Sequence, residues 1–312
     1  MHVLRAAARL KVCMAEGITH FLKPQELKHL GRLMVQSRYV VEGNLAGRHR
    51  SPAKGASTEF ADHRAYIEGD DPKRIDWKVL GRTERYYVRR YEDETNLRVY
   101  LIVDRSASMG YTSKGLSKYD YACRLAAAIG YVVVKGRDSI GLYLYADKID
   151  VASGARNSFA HLNNVLKTLQ QHEPASSTDT AKTLHQIAES VHRRGLIVLF
   201  SDLFDQPREV VKALAHFRKH HHDVIVLNIL DPEELDFTFK KSAEFEDMET
   251  GEKLTADPQS LAADYRKAFA EFLDEYRGPC AEMNIDYRIV NTSQPPELFI
   301  RAFLEERRKF SK

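Results

Sequence analysis

Two apolar runs, Leu196-Ile197-Val198-Leu199-Phe200 and Val224-Ile225-Val226-Leu227, place the tightest limit on how this chain can fold. Neither alternates with polar residues, so a strand made from either must be covered on both faces. That is the condition of a parallel sheet flanked by helices. Leu97-Arg98-Val99-Tyr100-Leu101-Ile102-Val103 reads as a third strand. From Leu97 onward strand and helix patterns alternate. Strand candidates are Arg98–Asp104, Ser139–Tyr145, Gly195–Ser201, Asp223–Leu230 and Ile285–Val290. Helix candidates are Lys118–Lys135, Ser158–Gln171, Thr180–His192, Pro207–Lys219, Gln259–Arg277 and Glu297–Arg308. Such repetition predicts an α/β fold with a doubly wound, mostly parallel sheet. One stretch interrupts it. Asp236–Asp257 carries Phe237-Thr238-Phe239, Glu244-Phe245-Glu246-Asp247-Met248 and a turn at Glu249-Thr250-Gly251-Glu252, the chemistry of a small inserted β-hairpin.

Upstream of the sheet the pattern is less regular. Pro24 suits the first turn of a helix, and Leu27, Leu30, Met34 and Val41 form an amphipathic stripe behind it. Gly43–Ala56 reads as loop, and Glu59–Glu94 is dense in charge and aromatics without a usable period. The 312 residues, 43% of them hydrophobic, suffice for one large domain with an appendage or for two modest ones. The longest apolar candidate for a membrane span, Leu125–Val134, is too short and is interrupted by Gly130. Cys13, Cys123 and Cys280 are odd in number and far apart, which argues for reduced thiols in a cytoplasmic protein. The net charge of +3 hides a basic head: residues 1–54 hold ten Lys/Arg against Glu16, Glu26 and Glu42, a local +7. Such a head suits an acidic protein face, nucleic acid or anionic lipid, but it lacks the interleaved aromatics of a base-stacking surface. Met1–Cys13, with three cations and no acid, is loosely like a transit peptide; a start nearer Met14 is the alternative.

The chemistry concentrates where the first sheet strand ends, at Asp104-Arg105-Ser106-Ala107-Ser108. Open α/β sheets take their ligands at that edge. A carboxylate and two hydroxyls in a compact loop offer oxygen ligands to a divalent cation. Two further oxygen-bearing loops, Ser176-Ser177-Thr178-Asp179-Thr180 and Phe200-Ser201-Asp202-Leu203-Phe204-Asp205, fall at a helix start and a strand end. One face of the sheet can bring all three together. Asp202 and Thr178 could instead be helix caps. His220-His221-His222, at a helix end before a strand, reads as a solvated run.

Asp-x-Ser-x-Ser resembles the metal-ion-dependent adhesion site of von Willebrand factor A domains, a Rossmann-like fold. In that family a second loop gives a threonine and a third an aspartate. Thr178, ahead of its helix, and Asp202, ending the apolar strand, match them. The resemblance implies a site of Asp104, Ser106, Ser108, Thr178 and Asp202, and octahedral oxygen chemistry favours Mg²⁺ or another divalent cation. Neutral hydroxyl ligands would leave positive charge for an acidic side chain of a partner.

The series Gly47-Arg48-His49-Arg50-Ser51, Glu59-Phe60-Ala61-Asp62-His63-Arg64-Ala65-Tyr66 and Gly69-Asp70-Asp71-Pro72-Lys73-Arg74-Ile75-Asp76-Trp77-Lys78 resembles the signature of the bacterial DUF58 family. The likeness continues through Arg82, Tyr87-Val88-Arg89-Arg90-Tyr91-Glu92 and Glu94, and residues 1–20 lie outside it. It implies a family-specific segment over residues 21–94 packing on the sheet, a von Willebrand factor A-like domain over 95–312, and the hairpin insertion at 236–257. Among its charges, Arg64, Asp70, Asp71, Asp76 and Arg82 form either a structural ion-pair network or a partner- or anion-binding surface. Trp77 reads as a packing anchor.

What the family implies of function is a noncatalytic cytoplasmic adaptor for a MoxR-type AAA+ ATPase, acting chaperone-like on a client that offers an acid to the cation. Neither nucleic acid nor a particular oligomeric state is implied, and peripheral membrane association stays open. Two other classes remain. Haloacid-dehalogenase phosphatases also end their first strand on Asp, but their acid/base carboxylate two residues on is here Ser106, so a metal-dependent hydrolase would lack its proton donor. A nucleic-acid or membrane-surface binder would act through residues 1–54.

Overall fold

The computed structural model describes residues 17–30, 59–67, 75–83, 85–92, 97–175, 179–237, 243–246, 253–256 and 258–310. The chain divides into two units. Residues 39–97 form one, and residues 1–38 with 98–312 form the other. Residues 17–30 thus belong with the sheet, where the sequence grouped 21–94 as one segment.

In chain order the described elements begin with helix α1 (Pro24–Leu30), strand β1 (Glu59–Ala65), helix α2 (Trp77–Thr83) and strand β2 (Tyr87–Glu92). There follow β3 (Arg98–Asp104), a 3-10 turn (Ala107–Gly110), α3 (Lys118–Lys135), β4 (Ser139–Tyr145), β5 (Ile149–Arg156) and α4 (Phe159–Gln171). Next come α5 (Thr180–Ser190), β6 (Leu196–Ser201), α6 (Pro207–Lys219), β7 (Asp223–Leu230) and α7 (Pro232–Asp236). The last are β8 (Ala243–Glu246), β9 (Lys253–Ala256), α8 (Pro258–Glu282), β10 (Asp286–Asn291) and α9 (Pro296–Phe310).

In the smaller unit β1 and β2 pair antiparallel, with a bulge between Phe60 and Asp62 and a bridge from Ile75 to Val88. Asp76 caps α2, its Oδ1 accepting from the backbone N–H of Lys78 at 3.0 Å. An antiparallel strand pair and a helix of about two turns thus occupy a stretch whose composition hid any period.

The larger unit is a six-stranded sheet in the order β10-β7-β6-β3-β4-β5. All neighbours are parallel except β4 and β5. The expected mostly parallel α/β sheet is therefore present. Relabelled from β3, the order is the doubly wound one, with the first strand beside the fourth. β6 and β7 are buried along their whole length, which accounts for their unbroken apolar runs. On one face Tyr100, Ile102, Leu199 and Val226 pack with Leu184 and Ile187 of α5, Leu214 and Phe217 of α6, and Tyr276 and Cys280 of α8. By the alternation of a strand, Val99, Leu101 and Val103 turn to the opposite face. α3 packs on β3 and β4 and is itself covered by α4 and α9.

Three details depart from the sequence reading. β5 is an edge strand with no fully buried residue; after Ile149 and Val151 it continues through Ala, Ser and Gly, so it lacks the apolar run that marks an inner strand. α8 runs on to Glu282 through Pro279, although a proline ordinarily ends a helix. Tyr276 and Cys280, both fully buried on the α6 face, hold its last turns in place. His222 is buried too: its Nδ1 accepts from the Gly195 N–H at 3.2 Å and its Nε2 lies 3.2 Å from the Val191 carbonyl, so it is a structural residue and not part of a solvated run. The hairpin expected within 236–257 is present as β8 and β9, pairing Ala243 with Ala256 through Glu246 with Lys253. Its turn, Glu249–Glu252, lies outside the described residues, as do Thr238, Phe239 and the stripe positions Met34 and Val41.

Gly195 leads into β6 where the backbone passes close to β3. A Cβ there would lie 2.4 Å from the carbonyl oxygen of Arg98, and backbone cannot swing aside as a side chain can. Gly195→Ala should therefore cost about 1–3 kcal/mol, as overpacking of a tight site does. Urea denaturation would show it as a lowered midpoint at unchanged slope; an unaltered midpoint would mean that the two strands separate freely.

Candidate cation site at the sheet switch point

β3 and β6 are neighbours, and the chain leaves their C-terminal ends in opposite directions, to α3 on one face and α6 on the other. That divergence opens a crevice, the usual ligand position of a doubly wound sheet. Asp104 ends β3 inside it and is 1% exposed. Its Oδ1 accepts from the Ser106 backbone N–H at 2.8 Å; its Oδ2 accepts from Ser201 Oγ at 2.7 Å and Tyr145 OH at 3.3 Å. The carboxylate thus gathers donors from the ends of β4 and β6 and from its own loop. Burial, and next the negative charge of Asp202, push its pKa up to about 6, although the donors from Ser201 and Ser106 act against them.

Ser106 is buried, and its Oγ lies 3.1 Å from Ser108 Oγ. Neighbouring ligands of an octahedral ion with bonds of about 2.0–2.1 Å sit roughly 2.9 Å apart, so two neutral oxygens are spaced as such an ion requires. The second loop is fixed on both sides of the threonine position. The Ala175 N–H donates to the Arg105 carbonyl at 2.9 Å, and Asp179 caps α5 by accepting from the Lys182 N–H. Thr178 itself lies outside the described residues. The third loop turns sharply at Leu203, whose φ of 58° is left-handed. That conformation is held by Ser201 Oγ, accepting from the Leu203 N–H, and by Tyr276 OH, donating to the Leu203 carbonyl, each at 2.9 Å.

Asp202 is buried beside a group the sequence did not disclose. Lys118, fully buried at the start of α3, donates from Nζ to Asp202 Oδ2 at 2.8 Å and to Glu234 Oε1 at 2.6 Å. Burial opposes its charge, but the two carboxylates outweigh burial and raise its pKa above the ordinary lysine value. Two carboxylates, Asp202 and Glu234, thus share one ammonium, and the charge of Asp202 also acts on Asp104, so the acids here outnumber the single cation, a balance that favours a further cation. Among the described residues no group of three or more His, Cys, Asp or Glu side chains is spaced to hold an ion. The fit rests instead on hydroxyl oxygens beside a carboxylate, the donor set a hard cation accepts.

Asp104, Ser106, Ser108 and Asp202 thus share one edge of the sheet. Of the charged series in the smaller unit, Asp76 is a helix cap and Arg82 is exposed in the last turn of α2. Trp77 is 61% exposed, so the packing role expected of it is not realised. Asp70, Asp71 and the side chain of Arg64 lie outside the described residues. Sequence reasoning missed Tyr145, Ser201, Lys118 and Glu234. The spacing Asp231-x-x-Glu234 of a capping box was a signal for the last. Lys118 gave none, since a lysine in the first turn of a helix reads as solvated.

The family model described as "Protein of unknown function DUF58" matches residues 62–277. The chain belongs to the DUF58 family. Its sheet, helices and loop placement make it a von Willebrand factor A-like DUF58 protein. Relatives include the uncharacterized proteins Rv1480 of Mycobacterium tuberculosis and Mb1516 of Mycobacterium bovis, each 27% identical over 252 residues, covering 79% of this chain and 78% of theirs. Among solved structures, BatB from Bacteroides thetaiotaomicron is 16% identical with a TM-score of 0.44, over 69% of this chain and 99% of that one. The SpRpn10 VWA domain is 10% identical with a TM-score of 0.42, over 66% and 94%. No described helix of this DUF58 protein is long and apolar enough to cross a membrane.

Asp104 makes the site pH-sensitive. Its carboxyl ionises near 3.8 when unfolded and near 6 when folded, so the folded state holds the proton over the interval between them. In chelator, this group's contribution to stability is lost as pH rises from about 3.8 to about 6. Asp104→Asn has no such proton. Its stability relative to wild type should climb across that window by on the order of 3 kcal/mol, read by urea denaturation at a series of pH values. A difference that does not vary with pH would mean that Asp104 ionises at its ordinary value.

Proposed function

We propose that this DUF58 protein is a noncatalytic adaptor that captures an acidic side chain of a partner protein through a divalent cation, Mg²⁺ or a similar ion. Asp104, Ser106, Ser108, Thr178 and Asp202 would hold the ion. The Ser106–Ser108 hydroxyl pair beside buried Asp104 carries this reading. When bound, the ion would supply a Lewis-acid centre with room for one ligand from outside. Ser106 and Ser108 bring neutral oxygens only, so the shell they help form favours an added carboxylate. Asp104 anchors the shell from beneath, because Ser201, Tyr145 and the Ser106 N–H fix its orientation.

Tyr145, raised well above the ordinary phenol range by burial and by Asp104, keeps its proton and acts as a donor. The partner in this reading is a MoxR-type AAA+ ATPase, or the client that it remodels chaperone-like in the bacterial cytoplasm. The ATPase would supply the energy.

Asp104→Ala should abolish Mg²⁺-dependent co-purification with a co-expressed MoxR-type ATPase, or with a client, while circular dichroism keeps the helix and sheet signal. Binding by the wild-type chain that persists undiminished in EDTA would remove the cation from the mechanism. Turnover of a phosphoester panel with Mg²⁺ or Mn²⁺, lost in Asp104→Ala, would replace the adaptor by a hydrolase.

A further inference from the structure

We infer that Lys118 is a built-in counter-cation that weakens the hold of the Asp104–Ser106–Ser108–Asp202 cluster on a divalent ion and ties its occupancy to helix α7. The inference rests on reading that cluster as a cation site.

The ammonium of Lys118 is fully enclosed. Two of its protons go to Asp202 Oδ2 at 2.8 Å and Glu234 Oε1 at 2.6 Å. The ring of Phe204 lies over the nitrogen at 4.8 Å to its centroid. Phe204 is in turn packed against Phe269 and Phe272 of α8. The ammonium therefore has little room to retreat.

Both carboxylates that share it are also held by backbone, and Asp202 Oδ1 accepts from the Phe204 N–H at 3.3 Å. Glu234 is fixed by its own helix: its Oε2 accepts from the Asp231 N–H at 2.8 Å in a capping box, and its carbonyl accepts from Tyr265 OH at 3.0 Å. Asp202, the other partner, is a candidate ion ligand. An ion drawing on Asp202 competes with Lys118 for that carboxylate and meets a fixed positive charge in a buried setting, where repulsion between cations is strong. Glu234 draws the ammonium the other way and so leaves Asp202 freer to turn to an ion. Lys118 and Glu234 thus act on the ion with opposite sign.

That difference in sign is measurable on the full-length chain, stripped of metal and titrated with Mn²⁺ by electron paramagnetic resonance. Lys118→Met should bind Mn²⁺ at least about tenfold more tightly than wild type. In chelator the variant should melt lower, and saturating Mg²⁺ should raise its melting temperature by more than it raises that of wild type. Glu234→Gln, which keeps an acceptor for the capping box, should bind Mn²⁺ several-fold more weakly, because the ammonium then settles on Asp202. Unchanged or weaker binding by Lys118→Met, or tighter binding by Glu234→Gln, would overturn the counter-cation role and leave the cation site standing. Should Lys118→Met fail to fold, Glu234→Gln decides alone: weaker binding supports the role, and unchanged or tighter binding rejects it. If the wild-type chain and both variants all fail to bind Mn²⁺, the cation site itself falls and Lys118 is a structural ion pair only.

Discussion

The buried carboxylate of Asp104 is the constraint on which the rest of the site depends. A carboxylate withdrawn from water needs donors aimed at it, and these come from separate places in the sequence: Ser106 in its own loop, Tyr145 at the end of β4 and Ser201 at the end of β6. They meet because parallel pairing sets Asp104 opposite Tyr145 and Val103 opposite Phe200. Slipping either strand by one residue would turn its donor to the other face of the sheet. The chemistry is thus held by strand register, which the apolar runs enforce through burial on both faces.

Around that carboxylate the charges sort into two layers. Asp104 is satisfied by neutral donors, whereas Asp202 is satisfied by a charge, the ammonium it shares with Glu234. The left-handed turn at Leu203 joins the layers, lying between Asp202 and the Phe204 ring that covers Lys118. A non-glycine residue in that conformation costs on the order of 1 kcal/mol and persists where its surroundings fix it. Here Ser201 and Tyr276 do so, one from β6 and the other from α8. Aromatic packing along α8, from Tyr265 through Phe269 and Phe272 to Tyr276, backs the whole assembly.

The sheet was legible because its central strands carry burial on their faces, and a residue buried on both sides can hardly be anything but apolar. Helices α3 and α6 were equally plain, with periodic stripes and clean ends at Gly136 and His220. β5 was hidden by being an edge, where half-exposure removes the pressure for branched apolar residues. The Asp-x-Ser-x-Ser loop could be read because all its oxygens lie within five residues. The Lys118–Asp202–Glu234 bridge could not, since its members are separated by 84 and 116 positions and each has an ordinary local explanation. Trp77 misled for the opposite reason: a lone tryptophan suggests an anchor, yet the start of a short exposed helix leaves it in solvent.

In the role we propose, the groups of the crevice hold a ligand and do not transform it. A carboxyl group titrating near 6 has the pKa of a useful general base, and Asp104 is such a group. A base must also reach the proton it takes. Both oxygens of Asp104 already accept hydrogen bonds from the fold, and the side chain is almost fully enclosed. Tyr145 is held neutral by burial and by the charge of Asp104, and Lys118 is held charged by Asp202 and Glu234 against the effect of burial. Next to Asp104 stands the serine pair, Ser106 buried and Ser108 half-buried, with hydroxyls spaced to share an ion. The adaptor role we propose takes Asp104, Tyr145 and Lys118 in the states that burial and neighbouring charge give them.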